Sequence, residues 1–409
     1  MYGSVVFQYG ARWLAGLCIV ILMGAYGAAG GDEPAELHFH HHVIDTDLSG
    51  STFGQTALVD LTGDGRPEFV MGLHRGPLFV YQYHTPGEWK RYTVGEDSPS
   101  EVGLATMDVD GDGRIDLVAG GAWYRNSGDL AKPFERIVFD PQLTTVHDMV
   151  AADVDGDGRL DVVTMSDRNN LRWYKIPEDP RQPWQRHDIG PAVHAGLAVG
   201  DLTGNGRLDV VRTDVWFENV RGDGTEWVEH PIGPSTPPPD DFRPAFAFDA
   251  TKARVVDMTG NGVNDIVFTD AEIPGGKVWW MENVGGEGRQ WRRHEVSRPR
   301  EGAPRRGAYH SLQVADFTGN GHLDIFSAEM EWVGGAEAPR WYVWENLDGR
   351  GTRWHEHVIL DANLGGHEAL AGDVTGNGRL DVISKPWRAH SDNAVGGRPF
   401  VVFLENVSP

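Results

Sequence analysis

Short apolar stretches, separated by turn-forming and acidic clusters, run along the chain from about residue 38 to residue 407. In one unit, an apolar stretch (Met149-Val-Ala-Ala152) leads into an acidic loop and a second (Val162-Val-Thr164) leaves it. An aromatic stretch follows, as in Val215–Val220, Val278–Val284 and Trp341–Asn346. The unit closes on Trp-x-x-His-x-(Ile/Val), seen at Trp184–Ile189, Trp227–Ile232, Trp291–Val296 and Trp354–Ile359. Stretches this short, rich in β-branched and aromatic residues and bounded by Gly and Asp, read as strands. Each unit therefore predicts four short strands joined by turns.

The acidic loop recurs seven times. It reads DLTGDGRPE from Asp60, DVDGDGRID from Asp108, DVDGDGRLD from Asp153 and DLTGNGRLD from Asp201. It continues as DMTGNGVND from Asp257, DFTGNGHLD from Asp316 and DVTGNGRLD from Asp373. The starts are spaced 45–59 residues apart. That period, with four strands per unit, fits a propeller blade. The chain ends on a third strand, Phe400–Val407, with no fourth after it. The missing strand is at the other end, where Phe39–Ile44 matches Trp354–Ile359. The N-terminal strand is thus expected to complete the last blade and close the ring, removing two open sheet edges. The expected fold is all-β: one seven-bladed β-propeller of four-stranded blades over residues 31–409.

Composition adds limits. The 53 Gly, 24 Pro and 15 Trp argue against a helical bundle. The formal net charge of −24, with no basic run, excludes a protein that grips nucleic acid or an anionic membrane. Residues 1–30 read as a secretory signal: Arg12, an apolar run from Trp13 to Met23, then small residues at Gly24, Ala25, Gly27, Ala28 and Ala29. An uncleaved anchor is the alternative. The expected location is secreted or periplasmic. Cys18 lies inside this segment behind Leu17, so the mature chain would hold no disulfide.

A loop of this form places side-chain oxygens at positions 1, 3, 5 and 9, and Gly at position 6 allows the sharp turn that folds them round one ion. Such oxygen ligands suit calcium. An EF-hand is excluded because position 12 holds Ala119 or Thr164 instead of Glu, and strands flank the loops. The strongest expected calcium loops carry four carboxylates: Asp108, Asp110, Asp112 and Asp116, and Asp153, Asp155, Asp157 and Asp161. The first loop offers Asp60, Asp64 and Glu68. The last four offer two Asp and an Asn each: Asp201, Asn205 and Asp209; Asp257, Asn261 and Asp265; Asp316, Asn320 and Asp324; Asp373, Asn377 and Asp381. Fewer charges predict weaker binding, and these four also read as turns without metal. Any such calcium would be structural. The seven loops supply 19 of the 60 acidic residues, so the negative charge largely reflects them.

These D-x-(D/T)-G-(D/N)-G-x-x-D loops resemble the FG-GAP/VCBS repeat family, the propeller type of the integrin α head. The fold alone does not give a function. The blade layout, the W-x-x-H-x-I strands, Gly366–Ala371 and Ile383–Trp387 further resemble the propeller module of the fungal aldos-2-ulose dehydratases and their bacterial relatives. That resemblance implies a zinc ion at the bottom of a cleft, acting on a keto-sugar such as 1,5-anhydrofructose, and a histidine that handles the proton of a dehydration. The cupin and lectin-like modules of the fungal enzymes are absent here, so no isomerase activity carries over.

The histidines point to the same place. His42, His187, His230, His294 and His357 occupy equivalent fourth-strand positions and read as packing residues. His147, His310 and His367 stand six residues before a loop Asp, while His194 and Glu101 stand seven before. Six strand residues span about 20 Å, so these groups lie on the face opposite the acidic loops, near the axis. Imidazoles with a carboxylate and an open position describe a catalytic zinc site; a wet funnel lined by histidines is the plain alternative. The differing parity of His194 speaks against one sphere of four. His310, His367 and Glu101 are expected nearer the metal, with His147 or His194 carrying the proton. Loops after the second strand should bring Arg168, Lys385, Trp387, Arg388 and His390 to a sugar. His74, Arg75, Asp167, Asn169, Glu329 and Glu331 should reach the same face, with Arg305 and Arg306 ahead of His310. No nucleophile elbow, phosphate loop, dinucleotide fingerprint or HExxH is present. Two readings follow: a zinc-dependent lyase acting on a keto-sugar, or a non-catalytic propeller that binds carbohydrate or protein.

Overall fold

A computed structural model describes residues 33–232, 250–273, 275–297, 307–331 and 338–409. The expected signal segment and the pair Arg305 and Arg306 lie outside them. The described residues contain twenty-eight strands and no helix. They form seven four-stranded antiparallel sheets. Blades I to VI begin with inner strands β2 (Phe53–Val59), β6 (Ala105–Met107), β10 (Val146–Ala152), β14 (Leu197–Gly200), β18 (Thr251–Val256) and β22 (Gln313–Ala315). Blade VII begins with β26 (His367–Gly372) and ends with β28 (Val401–Asn406), which pairs with β1 (Phe39–Asp45) in the register Phe39 to Asn406 and His42 to Phe403.

Burial follows position in the blade. The second strands, such as β3 (Glu68–Leu73) and β11 (Asp161–Ser166), are buried at every residue. They are sandwiched between neighbouring blades, which is why they read as continuous apolar runs and do not alternate. Outer strands such as β13 (Gln185–Gly190) face water on one side. The core is seven clusters, each shared by two adjacent blades. Phe69 and Tyr81 of blade I pack with Ile383 and Phe403 of blade VII, which closes the circle.

The repeated residues latch one blade to the next. Trp173 donates its indole N–H to the Gly224 carbonyl at 2.9 Å, Trp216 to Gly288 at 3.0 Å and Trp280 to Gly351 at 3.0 Å. Asn126 donates to the Leu61 carbonyl at 2.8 Å, Asn219 to Val154 at 2.9 Å and Asn283 to Leu202 at 2.8 Å. The outer-strand histidines pack as expected: His187 stacks on Trp173 at 4.3 Å and His294 on Trp280 at 4.2 Å.

Each acidic loop also holds itself closed. Asp108 accepts the N–H groups of Gly111 and Gly113, each at 2.8 Å, and Asp116 accepts those of Val109 at 3.0 Å and Asn126 at 2.7 Å. Gly111 (φ 74°) and Gly113 (φ 86°) supply the left-handed turn. The arrangement recurs down to Glu68, which accepts the Leu61 N–H at 2.8 Å.

Candidate functional site

The starts of the inner strands meet at the end of the ring opposite these loops. There four imidazoles form a continuous series. The ring centroids of His194 and His147 are 4.5 Å apart, those of His147 and His310 5.8 Å, and those of His310 and His367 4.0 Å. Trp387 stacks on His367 at 5.0 Å, with His74 6.4 Å beyond it. His147, His310 and His367 are buried, and His194 is largely so.

Local irregularity aims these side chains. The pairing of β10 slips between Val146 and Asp148, and that of β26 between His367 and Leu370. Bulges of this kind turn consecutive residues toward one side of a strand. Glu368 takes the left-handed conformation (φ 56°), a strain of about 1 kcal/mol or more for a residue with a Cβ. Its carboxylate reaches the axis, where Oε1 lies 3.4 Å from His310 Nδ1.

Charged groups surround the histidines. Glu272 Oε1 is 3.0 Å from His194 Nε2 and 3.5 Å from His310 Nε2. Asp167 Oδ1 is 2.8 Å from His194 Nδ1. Asp148 Oδ1 is 3.4 Å from His147 Nδ1, and its other oxygen accepts the Gly196 N–H at 2.8 Å. Lys252 comes from blade V and pairs with Asp148 of blade III at 3.2 Å and with Glu368 of blade VII. One ammonium thus ties three blades together at the centre.

Two sets of ligand atoms gather, each within 4.8 Å: His147, His194 and Glu272, and His310, His367 and Glu368. His147 Nδ1 and both ring nitrogens of His310 are buried and make only contacts of 3.4–3.5 Å to carboxylates, while Glu368 Oε1 is shared between His310 and Lys252. Imidazole and carboxylate groups gathered this closely match the ligand chemistry of zinc once the imidazoles are neutral.

The environment pushes the proton affinities apart. Burial holds His147 below its ordinary value. Burial also opposes charge on His194, but Glu272 and Asp167 outweigh it and push the imidazole up to about 9. His310 is likewise drawn upward against its burial by Glu272 and Glu368. Glu272 is held low despite burial by its bonds to His194 and His310. His367 is pressed well below its ordinary value by burial and by the charge at His310 and Lys385.

Lys385 touches His367 directly. Its buried amine donates to the carbonyls of Phe53 and Gly54, the latter at 2.9 Å, and lies 3.0 Å from His367 Nδ1. Burial lowers it to about 7. As an ammonium it donates its third N–H to Nδ1, and neutral His367 then carries its proton on Nε2. As a neutral amine it accepts Nδ1–H and leaves Nε2 free as a ligand.

Of the remaining expected residues, Arg168 stands at the rim, 2.8 Å from Asp167. The Arg388 backbone N–H donates to buried Glu331 at 2.7 Å. Glu101 is partly buried and its carboxyl is raised by burial and by Asp167 and Glu272, yet it stands outside both ligand sets. His390 is exposed and paired with Asp392, and it belongs to neither ligand set. Lys385, expected on a loop, ends strand β27 (Asp381–Lys385) and is fully enclosed. At the other face, Asp108, Asp110 and Asp116 gather within 4.8 Å, as do Asp153, Asp155 and Asp161.

Sequence reasoning passed over Glu272, Asp148, Lys252 and Glu368. The last three share a signal, since each stands five residues before its loop Asp.

Fold and site together define a repeat-built β-propeller with one polar cluster on its axis. The model of the FG-GAP-like repeat matches residues 60–119, 108–164, 153–211 and 257–327, over half of the chain, and the chain belongs to that family. No curated protein matches its sequence. Among solved structures it is similar to a lectin of Agrocybe aegerita that recognises non-reducing terminal N-acetylglucosamine (TM-score 0.52, 19% identity, 76% of this chain and 81% of that one). It is also similar to BBS1N, solved in complex with ARL6DN (TM-score 0.52, 12% identity, 91% and 98%). A third is the V. cholerae biofilm matrix protein Bap1 (TM-score 0.47, 10% identity, 91% and 92%).

Proposed function

We propose that the axial cluster is a zinc-dependent site that eliminates water, or a glycosidic leaving group, from a keto-sugar. The observation that carries this reading is the pair of His–His–carboxylate sets on one axis, with buried nitrogens that make only long contacts of 3.4–3.5 Å to neighbouring carboxylates. His310, His367 and Glu368 are the set we assign to the metal. Glu368 takes the place given to Glu101 on sequence grounds, and Lys385 must be neutral for His367 to serve. A zinc ion held there would polarise the keto oxygen and acidify the adjacent C–H bond.

The protein groups then divide the proton work. His147 is kept neutral by burial and takes the proton from the carbon beside the carbonyl. His194 is kept protonated by Glu272 and Asp167 and gives its proton to the leaving oxygen. The C–H pair becomes the new C=C bond, the C–O bond breaks, and water departs. Trp387 offers a face for the sugar ring, and Arg168 a donor for its hydroxyls. We further read the protein as exported, with calcium in the acidic loops serving stability alone.

A non-catalytic sugar-binding propeller is the second reading, favoured by the Trp387 face and by the sugar recognised by the similar lectin. Metal analysis of the purified protein separates the two. The first reading expects about one zinc per chain, and loss of turnover on 1,5-anhydrofructose in His147→Gln and His194→Gln. Glycan affinity that survives zinc removal, with no turnover in any preparation, overturns it.

A further inference from the structure

The seven acidic loops differ in charge, and a residue outside each loop cancels the difference. The residue following position 9 pairs across the blade with Tyr81, Tyr124, Tyr174, Phe217, Met281, Trp344 or Leu404. The next residue along each third strand is Gln82, Arg125, Lys175, Glu218, Glu282, Glu345 or Glu405. The loops of blades II and III carry four carboxylates and face Arg125 and Lys175. The loop of blade I carries three and faces neutral Gln82. The loops of blades IV to VII carry two and face a glutamate. Counting only the loop carboxylates and the facing residue, the sum is −3 in all seven; position 7 adds an Arg in blades I to IV and VII, and in blade II that Arg114 also pairs with Asp112.

The contacts show how the cancellation works. Lys175 pairs with Asp155 and with Asp157, the latter at 2.7 Å. Arg125 pairs with Asp110 and, at 2.6 Å, with Asp112. These are loop positions 3 and 5, the positions that hold Thr and Asn in blades IV to VII. Meanwhile positions 1 and 9 keep the same backbone N–H partners as in the other loops. The glutamates of blades IV to VII are drawn outward. Glu218 bonds His230 at 2.9 Å, Glu282 bonds His294 at 2.8 Å, Glu345 bonds His357 at 2.8 Å, and Glu405 lies 3.4 Å from His42.

We propose that Arg125 and Lys175 are tethered counter-cations, each holding the two extra carboxylates of its loop, so that a divalent ion must displace them to bind there. Carboxylate count then does not rank the loops. The two richest loops already contain a positive group at the carboxylates that would otherwise favour calcium most, because a like charge beside an incoming cation opposes it.

Calcium titration of the full chain by calorimetry tests this. Lys175→Met frees Asp155 and Asp157, and one site should bind calcium at least tenfold more tightly than any corresponding site of the wild type. Arg125→Met should do the same in blade II. Lys175→Arg keeps the cation and should titrate as wild type. In chelator, Lys175→Met should melt below the wild type, and calcium should close that gap. Lys175→Gln retains the length of the stem and serves if the Met variant fails to fold. Neutral variants that titrate like the wild type, or a melting gap that calcium leaves unchanged, overturn the proposal.

Discussion

The two ends of the inner strands are built on opposite plans. At one end the same nine-residue pattern recurs seven times, and each loop closes on its own backbone N–H groups. At the other end the blades supply different residues: Gln55, Glu101, His147, His194, Lys252, His310 and the pair His367–Glu368. Repetition makes identical contacts between neighbours, so stability is spread round the ring. Departure from repetition gathers unlike groups at the one place where all blades meet. Stability resides in what the blades share, and the chemistry proposed above rests on what they do not.

The sharpest test of that division is His147→Gln at the axis. On the proposed mechanism it lowers turnover by roughly 10²–10⁴-fold, the usual weight of a general base, while the melting temperature stays near the wild type. A loss of folding equal to the loss of activity would break the contrast.

At the repeated side, Trp280→Ala removes a buried indole and its bond to Gly351. Chemical denaturation should show a loss of about 3–5 kcal/mol, with the axial groups unaffected. Trp280→Phe should cost less, since it keeps most of the packing and drops the hydrogen bond.

The pH dependence of the axis comes next. Held up to about 9 by Glu272 and Asp167, His194 stabilises the metal-free protein on the order of 3 kcal/mol. Because its folded value is raised, that contribution is complete below the ordinary value of 6.5 and is lost as pH rises through about 9. The gap between wild type and His194→Gln in chelator should therefore be wide at pH 6 and closed by about pH 10. A gap that widens with pH contradicts the assignment.

The smallest effect belongs to the exposed rim. Arg181 and Glu135 form a two-bonded pair at 2.7 Å between blades III and II, both sides about half exposed. Removing either should change stability by less than about 1 kcal/mol, and less again in high salt.

The site was only partly legible. His147, His310 and His367 stood out because each keeps the same distance from its loop. Their neighbours Asp148 and Glu368 did not, because adjacent residues of a regular strand face opposite ways. The slips in β10 and β26 defeat that rule and turn both members of each pair toward the axis. Glu272 follows a second strand with no repeated partner, so nothing in its surroundings marked it. Lys385 read as a loop residue, and enclosure by Phe53, Gly54 and His367 appears only once blades VII and I are packed together.

The sequence by itself determined the blade, the number of blades and the pairing of the first strand with the last. Those follow from local turn chemistry, strand alternation and the count of repeats, all of which are periodic and short in range. Tertiary structure decided the rest. Lys252 meets Asp148 across 104 positions of chain, and His194 meets Glu272 across 78. Such encounters depend on the closure of a ring of seven sheets, where a bulge of one residue sets which side chains reach the axis.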